Sequence, residues 1–113
     1  IVLYGKLLGN SFLFTGDLEK EGEEELMVSY PNLKAGILKA GHHGSKGSSS
    51  EAFLDQLQPS LALVSAGENN RYKHPNDETL KRFKKRHIKV LRTDQNGAIR
   101  FKGWFKWSSE TVR

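Results

Sequence analysis

Short apolar runs alternate along this chain with stretches of helix-forming residues, and that alternation predicts an α/β fold with crossover connections. The runs at 12–15, 37–40 and 61–65 are too short for helices and carry the continuous hydrophobicity of buried strands. Between them, residues 17–28, the stretch carrying Phe53, Leu54 and Leu57, and the stretch from Asn76 to Arg86 hold helix formers with apolar residues at helical spacing. Prolines at 31, 59 and 75 fall at the junctions, where a residue without an N–H interrupts regular structure.

The pattern opens with a hairpin. Runs at 1–4 and 12–15 are joined by Gly5-Lys6-Leu7-Leu8-Gly9-Asn10, with Gly9-Asn10 as the turn signal. Residues 17–28 follow as a helix whose acids crowd into the first turns, where the macrodipole favours them, with Leu18, Leu26 and Met27 on its apolar side. Residues 37–40 form the third strand and deliver Gly41-His42-His43-Gly44, where glycines on both sides of the imidazoles let the backbone bend sharply. Ser48 with Glu51 three residues on has the spacing of a capping box for the second helix, which Pro59 stops. The strand at 61–65 opens into a polar loop ending in His74-Pro75, and Asn76 or Asp77 can cap the third helix. That helix is expected to bury Leu80 and Phe83 and to expose Lys81, Arg82, Lys84, Lys85 and Arg86, with His87 at its end, where a cation is favoured. Residues 88–92 then read as a strand, Asn96-Gly97 as a tight turn, and 98–107 as a long return strand with Ile99, Phe101, Phe105 and Trp107 on one face.

A length of 113 residues allows one domain with a modest core, and 36% hydrophobic against 27% charged residues is the balance of a globular domain rather than a disordered chain. No run approaches the length of a membrane span. Cysteine is absent, which excludes disulfides and thiolate metal sites and leaves imidazole and carboxylate as the strong ligands. Lys and Arg outnumber Asp and Glu by 18 to 13, with a pI of about 9.6, a balance that favours anionic partners. Acid concentrates in residues 17–25 and base in 81–92 and 100–106; the basic third either follows a phosphate backbone or is a solvated face. The start at Ile1-Val2-Leu3-Tyr4, apolar and without an initiator Met, reads as a fragment of a longer protein.

Three features fall at carboxyl ends of the expected strands: Asp17, the pair His42 and His43, and His74. In layered α/β sheets those ends gather at one edge, where such folds bind ligands. A carboxylate with two or three imidazoles is a metal constellation. Taken singly, Asp17 is equally a helix cap, His74 an ordinary loop residue, and the serine-rich tract from Ser45 to Ser50 a flexible connection.

The ordered set Thr15-Gly16-Asp17, Gly41-His42-His43-Gly44-Ser45, Arg71-Tyr72-Lys73-His74-Pro75 and Thr93-Asp94-Gln95-Asn96-Gly97-Ala98-Ile99 resembles the carboxyl-terminal half of the metallo-β-lactamase-like domain of ComEC-type competence proteins, the membrane channels of bacterial DNA uptake. The likeness runs from about Leu13 to Ile99. It implies the second half of an αββα sandwich, a mixed sheet with flanking helices, as a single domain over 1–113. It further implies a dinuclear site using Zn or Mn, with Asp17 as bridging carboxylate, His42 or His43 as ligand, His42 favoured because it leaves the strand first, and His74 as a further ligand or proton donor. Asp17, His42 and His74 would then be catalytic, with Ser45 and Lys46 touching phosphate. The implied chemistry is metal-assisted hydrolysis of a phosphodiester, a nuclease acting on incoming DNA. The implied partners are DNA and the transmembrane channel portion of the same protein, and the implied location is a bacterial cell membrane protein with this part outside the bilayer.

One departure tempers the likeness. The superfamily's principal metal motif, H-x-H-x-D-H, does not occur in these residues and normally lies upstream. The fragment alone is therefore expected to be inactive and to hold no metal tightly, because an incompletely ligated site binds poorly. Apolar faces that would meet the missing half invite self-association. The competing reading is a metal-free, basic nucleic-acid-binding module, in which the helix cations from Lys81 to Arg86 and Trp104 and Trp107 among Lys102 and Lys106 combine phosphate contact with base stacking.

Overall fold

The computed structural model describes residues 2–7, 9–65, 75–93, 98–102 and 108–112. The element order is β1 (Leu3–Leu7), β2 (Asn10–Phe14), α1 (Lys20–Ser29), β3 (Ile37–Lys39), a 3₁₀ turn (Gly41–Gly44), α2 (Glu51–Leu57), β4 (Leu61–Val64), α3 (Asp77–Lys85), β5 (Lys89–Arg92), β6 (Ala98–Lys102) and β7 (Ser108–Val112). Five strands form one sheet in the order β1-β2-β3-β4-β5, and β6 and β7 form a separate antiparallel pair. Within the five-stranded sheet only β1 runs against its neighbour; β2 to β5 are parallel.

Each parallel crossover steps one strand in the same direction, so right-handed connections put all three helices on the same face. The packing agrees. Leu13, Leu38, Ala62 and Val64 of the sheet meet Phe53, Leu54 and Leu57 of α2 and Phe83 of α3 in one buried cluster, with Leu26 and Met27 of α1 against it. The opposite face carries a second, smaller cluster of Ile37, Leu61 and Leu91 flanked by Phe12 and Leu63, to which no helix residue belongs among the described residues. Alternation along the strands therefore sorts two apolar faces, as the continuous runs require.

Several boundaries differ from expectation, each for a local reason. β1 and β2 extend to Leu7 and Asn10, which pair directly; Gly9, at φ +81°, completes a two-residue connection that keeps the ladder intact up to the bend. Thr15 lies beyond β2. The first helix starts at Lys20, not at Asp17, because the N–H of Leu18 bonds the carbonyl of Thr15 at 3.0 Å and closes a turn over Gly16 and Asp17. Asp17 is thus not a helix cap. The second helix is capped by Ser50, whose Oγ accepts from the N–H of Phe53 at 3.3 Å; Ser48, expected in that role, is fully buried and donates to the carbonyl of Ser45 at 2.9 Å. Asn76 caps α3 as expected, accepting from the N–H of Glu78 at 2.9 Å.

The carboxyl-terminal strands also differ. The strand that begins at Ala98 does not pair with 88–92: β5 pairs in parallel with β4, and β6 takes its antiparallel partner from Ser108–Val112, while residues 103–107 of the expected return strand lie outside what is described. The polar sequence Ser108-Ser109-Glu110 offers no hydrophobic alternation that would announce a strand. The turn at Asn96-Gly97, the residues His74, Trp104, Phe105 and Trp107, and the side chains of β6 lie outside what is described.

Candidate site at the strand ends

Parallel pairing of β2, β3 and β4 brings their carboxyl ends to one edge, and backbone hydrogen bonds lock the following turns together there. The N–H of His42 bonds the carbonyl of Gly16 at 2.7 Å, and the N–H of Asn76 bonds the carbonyl of Gly44 at 2.9 Å. The Asp17 turn, the histidine turn and the segment that follows His74 thus meet as backbone, and Asp17 itself is exposed there. Two glycines make this closeness possible. A Cβ on Gly41 would lie 2.3 Å from the carbonyl oxygen of Leu18, and one on Gly44 would lie 2.7 Å from Cβ of Pro75.

The histidine turn is strained. His42 (φ 46°, ψ 50°) and His43 (φ 54°, ψ 28°) both adopt the left-handed conformation, which costs a residue with a side chain on the order of 1–3 kcal/mol and concentrates at functional sites. Each ring is held through Nδ1. His42 Nδ1 lies 2.6 Å from Oε1 of Glu19, and His43 Nδ1 lies 2.7 Å from the carbonyl oxygen of Ser65 at the end of β4. Both acceptors lack a proton to give, so in the neutral rings Nδ1 is the donor. A cation would have to be met by Nε2 in both cases.

Ser45, half of the expected phosphate contact, is turned inward. It is buried, its Oγ donates to Glu19 Oε1 at 3.0 Å, and its carbonyl accepts from Thr79 Oγ1 at 2.8 Å. Lys46 is exposed, with its Nζ 3.6 Å from Glu78 Oε1, a separation at which an exposed pair contributes little. The loop that carries them is braced from two sides. Glu23 of α1, fully buried, accepts from the N–H groups of Ser49 and Ser50. Arg82 of α3 donates to the carbonyls of Lys46, Ser48 and Ser49 at 2.8–2.9 Å. Burial pushes the Glu23 carboxyl above its usual range, and the two backbone donors only partly oppose this. The serine-rich tract is therefore not a flexible connection.

The bracing also corrects the expected basic face. Arg82 is spent on loop carbonyls, and Arg86 donates through Nε to Asp55 Oδ1 at 2.8 Å, holding that carboxyl below its usual range. The exposed cations of α3 are Lys81, Lys84 and Lys85, with Lys85 3.9 Å from Glu51.

The donor set of Asp17, His42 and His43 is nitrogen and oxygen only, which suits Zn or Mn, and the Nδ1 anchoring is how ligating histidines are commonly held. The fit goes no further than donor chemistry: among the described residues no three His, Cys, Asp or Glu side chains form a group able to hold a metal ion. Glu19 had no signal in the sequence, because it stands in a run of acids that all look like first-turn helix residues.

A mixed sheet with its helices on one face and its strand-end turns gathered at one edge is one αβ layer of a layered sandwich. Residues 2–68 match the metallo-beta-lactamase superfamily, and the chain belongs to that superfamily as a partial αββα fold. It is 55% identical over 102 residues to ComE operon protein 3 of Bacillus subtilis, covering 90% of this chain and 13% of that protein. It is 46% identical over 94 residues to competence protein ComA of Neisseria gonorrhoeae, 82% of this chain and 14% of that one. With recombination protein 2 of Haemophilus influenzae the identity is 36% over 91 residues, 80% of this chain and 11% of the relative. The chain thus spans about an eighth of the relatives' length, and the resemblance to ComEC-type competence proteins holds. Among the described residues no helix is long and apolar enough to cross a membrane.

Proposed function

We propose that this chain supplies the carboxyl-terminal part of a metal-dependent phosphodiester hydrolase domain that acts on DNA entering through a competence channel. The observation that carries the reading is the bond from the N–H of His42 to the carbonyl of Gly16, which sets the Asp17 turn against two strained, Nδ1-anchored imidazoles at the sheet edge. Superfamily membership supports metal chemistry at that edge, and similarity to competence proteins supports DNA as substrate. When bound there, divalent cations supply the activated nucleophile and neutralise charge that develops on the phosphate. The chain's own part is to hold Asp17, His42 and His43 in place, and Lys46, exposed on the braced loop, is the candidate contact for an anion. His74 extends the set as ligand or proton donor.

Among the described residues no group able to hold a metal ion is complete, so for the chain by itself calorimetry should find weak Zn²⁺ and Mn²⁺ binding and nuclease assays no activity. In a longer protein carrying the remainder of the domain, Asp17→Asn and His42→Ala should each abolish cation-dependent cleavage of DNA. Undiminished cleavage by both variants would reject the proposal.

A further inference from the structure

Glu19 stands between the two turns of the site and touches both ends of the histidine turn. Its Oε1 meets His42 Nδ1 at 2.6 Å and accepts from Ser45 Oγ at 3.0 Å. The loop closes on its other oxygen, because a Cβ on Gly47 would come within 3.1 Å of Oε2. A pair 43% exposed on both sides is screened by water and contributes little to stability. What it fixes is the ring. A carboxylate on Nδ1 makes that nitrogen the proton carrier and Nε2 the lone-pair nitrogen. His43 has the same arrangement with a neutral acceptor, the carbonyl of Ser65. The two rings, 6.3 Å apart and tilted by 57°, are therefore alike in tautomer and unlike in what backs them.

We propose that Glu19 is a positioning residue: it holds His42 in the Nδ1–H tautomer, presents Nε2 to a divalent cation and, as an anion behind the ring, makes His42 the stronger donor of the two histidines. The cation in this inference rests on the function proposed above; the tautomer rests on the hydrogen bonds alone. Glu19 touches no reacting atom.

Long-range proton–nitrogen correlation spectra of the chain in alkaline buffer read the tautomer of each histidine. The expected result is Nδ1–H for both. Glu19→Ala should move His42 toward the Nε2–H form and leave His43 unchanged, whereas Glu19→Gln, whose amide oxygen still accepts, should keep His42 as it is. Zn²⁺ added to the wild-type chain should perturb Nε2 of His42, and Glu19→Ala should need roughly 10- to 100-fold more metal for the same response. Glu19→Ser, polar but too short to reach the ring, repeats the test should the Ala variant not fold. His42 in the Nε2–H form in the wild type, or a tautomer indifferent to both shortened variants, overturns the proposal. A tautomer that follows Glu19 while Zn²⁺ leaves His42 untouched upholds the positioning role and counts against the metal reading.

Discussion

Gly44 and Ser49 both sit in the left-handed region, at φ +77° and +55°, and substitutions there should act in opposite directions. At Gly44 an added Cβ meets both an unfavourable backbone conformation and Pro75 at 2.7 Å, so Gly44→Ala should cost about 2–4 kcal/mol. At Ser49 the strain is already present, and its buried Oγ has no hydrogen-bond partner among the described residues. Removing both should outweigh the roughly 0.5–1 kcal/mol that glycine costs in unfolded-chain entropy, so Ser49→Gly should stabilise by about 1 kcal/mol and raise Tm by about 4 °C. Thermal unfolding followed by circular dichroism checks both; a destabilised Ser49→Gly would show that the hydroxyl has a partner that matters. Glu23 adds a pH dependence. Its folded-state pKa is raised above the ordinary 4.5, mainly by burial, so the folded chain holds that proton more tightly than the unfolded one. The resulting contribution is fully present below 4.5 and is lost as pH rises through the raised value. Glu23→Gln should flatten that part of the profile while losing one of the two loop bonds, at about 1–3 kcal/mol. Urea midpoints measured across this range for both proteins decide it, and parallel profiles would exclude Glu23 as the source.

The serine-rich loop joins α1, α2 and α3, and its order depends on a helix residue that periodicity misplaces. Arg82 belongs to the polar face of α3, yet its guanidinium folds back to serve three carbonyls, a use that only its fork of donors allows. Arg82→Ala should leave those carbonyls short of partners and cost about 2–4 kcal/mol. Arg82→Lys should recover little of this, and amide exchange should quicken across 45–50 in both; unchanged exchange there would show that Glu23 alone holds the loop. The same segment shows why element starts were only partly legible. Strands β2, β3 and β4 were evident because their apolar runs are continuous, and the start of α3 was evident to within a residue because Asn76 and Asp77 both offer capping side chains after Pro75. Ser48, Ser49 and Ser50 are interchangeable as caps in the sequence, and only the pull of Ser45 on Ser48 and of Glu23 on the loop amides leaves the role to Ser50. At the site, glycines around His42 and His43 announced a bend, and the Thr15-Gly16-Asp17 end announced a carboxylate. Glu19 became visible only once the turn after β2 delayed the helix by three residues, from Asp17 to Lys20.

At the scale of the whole chain, the sheet ends in an unguarded edge. β1 has β2 on one side and no strand on the other among the described residues, and its Leu3 and Tyr4 are 61% and 42% exposed. Val2, Tyr4, Leu13, Leu26, Tyr30 and Leu33 line an apolar groove of about 430 Å³ beside it. Of the groove residues, Tyr30 just past the end of α1 is 61% exposed. An edge of this kind offers unpaired backbone groups together with hydrophobic side chains, the combination that recruits a second strand. Lys6 is the cation β1 carries against such pairing. The chain should therefore self-associate through β1, two copies pairing edge to edge, with weight-average mass rising with concentration in sedimentation equilibrium. Leu3→Lys with Tyr4→Lys places charge along the edge and should restore a monomer without loss of helical signal, because neither side chain is buried. A wild-type chain that stays monomeric over the whole concentration range would show that the single lysine already guards the edge.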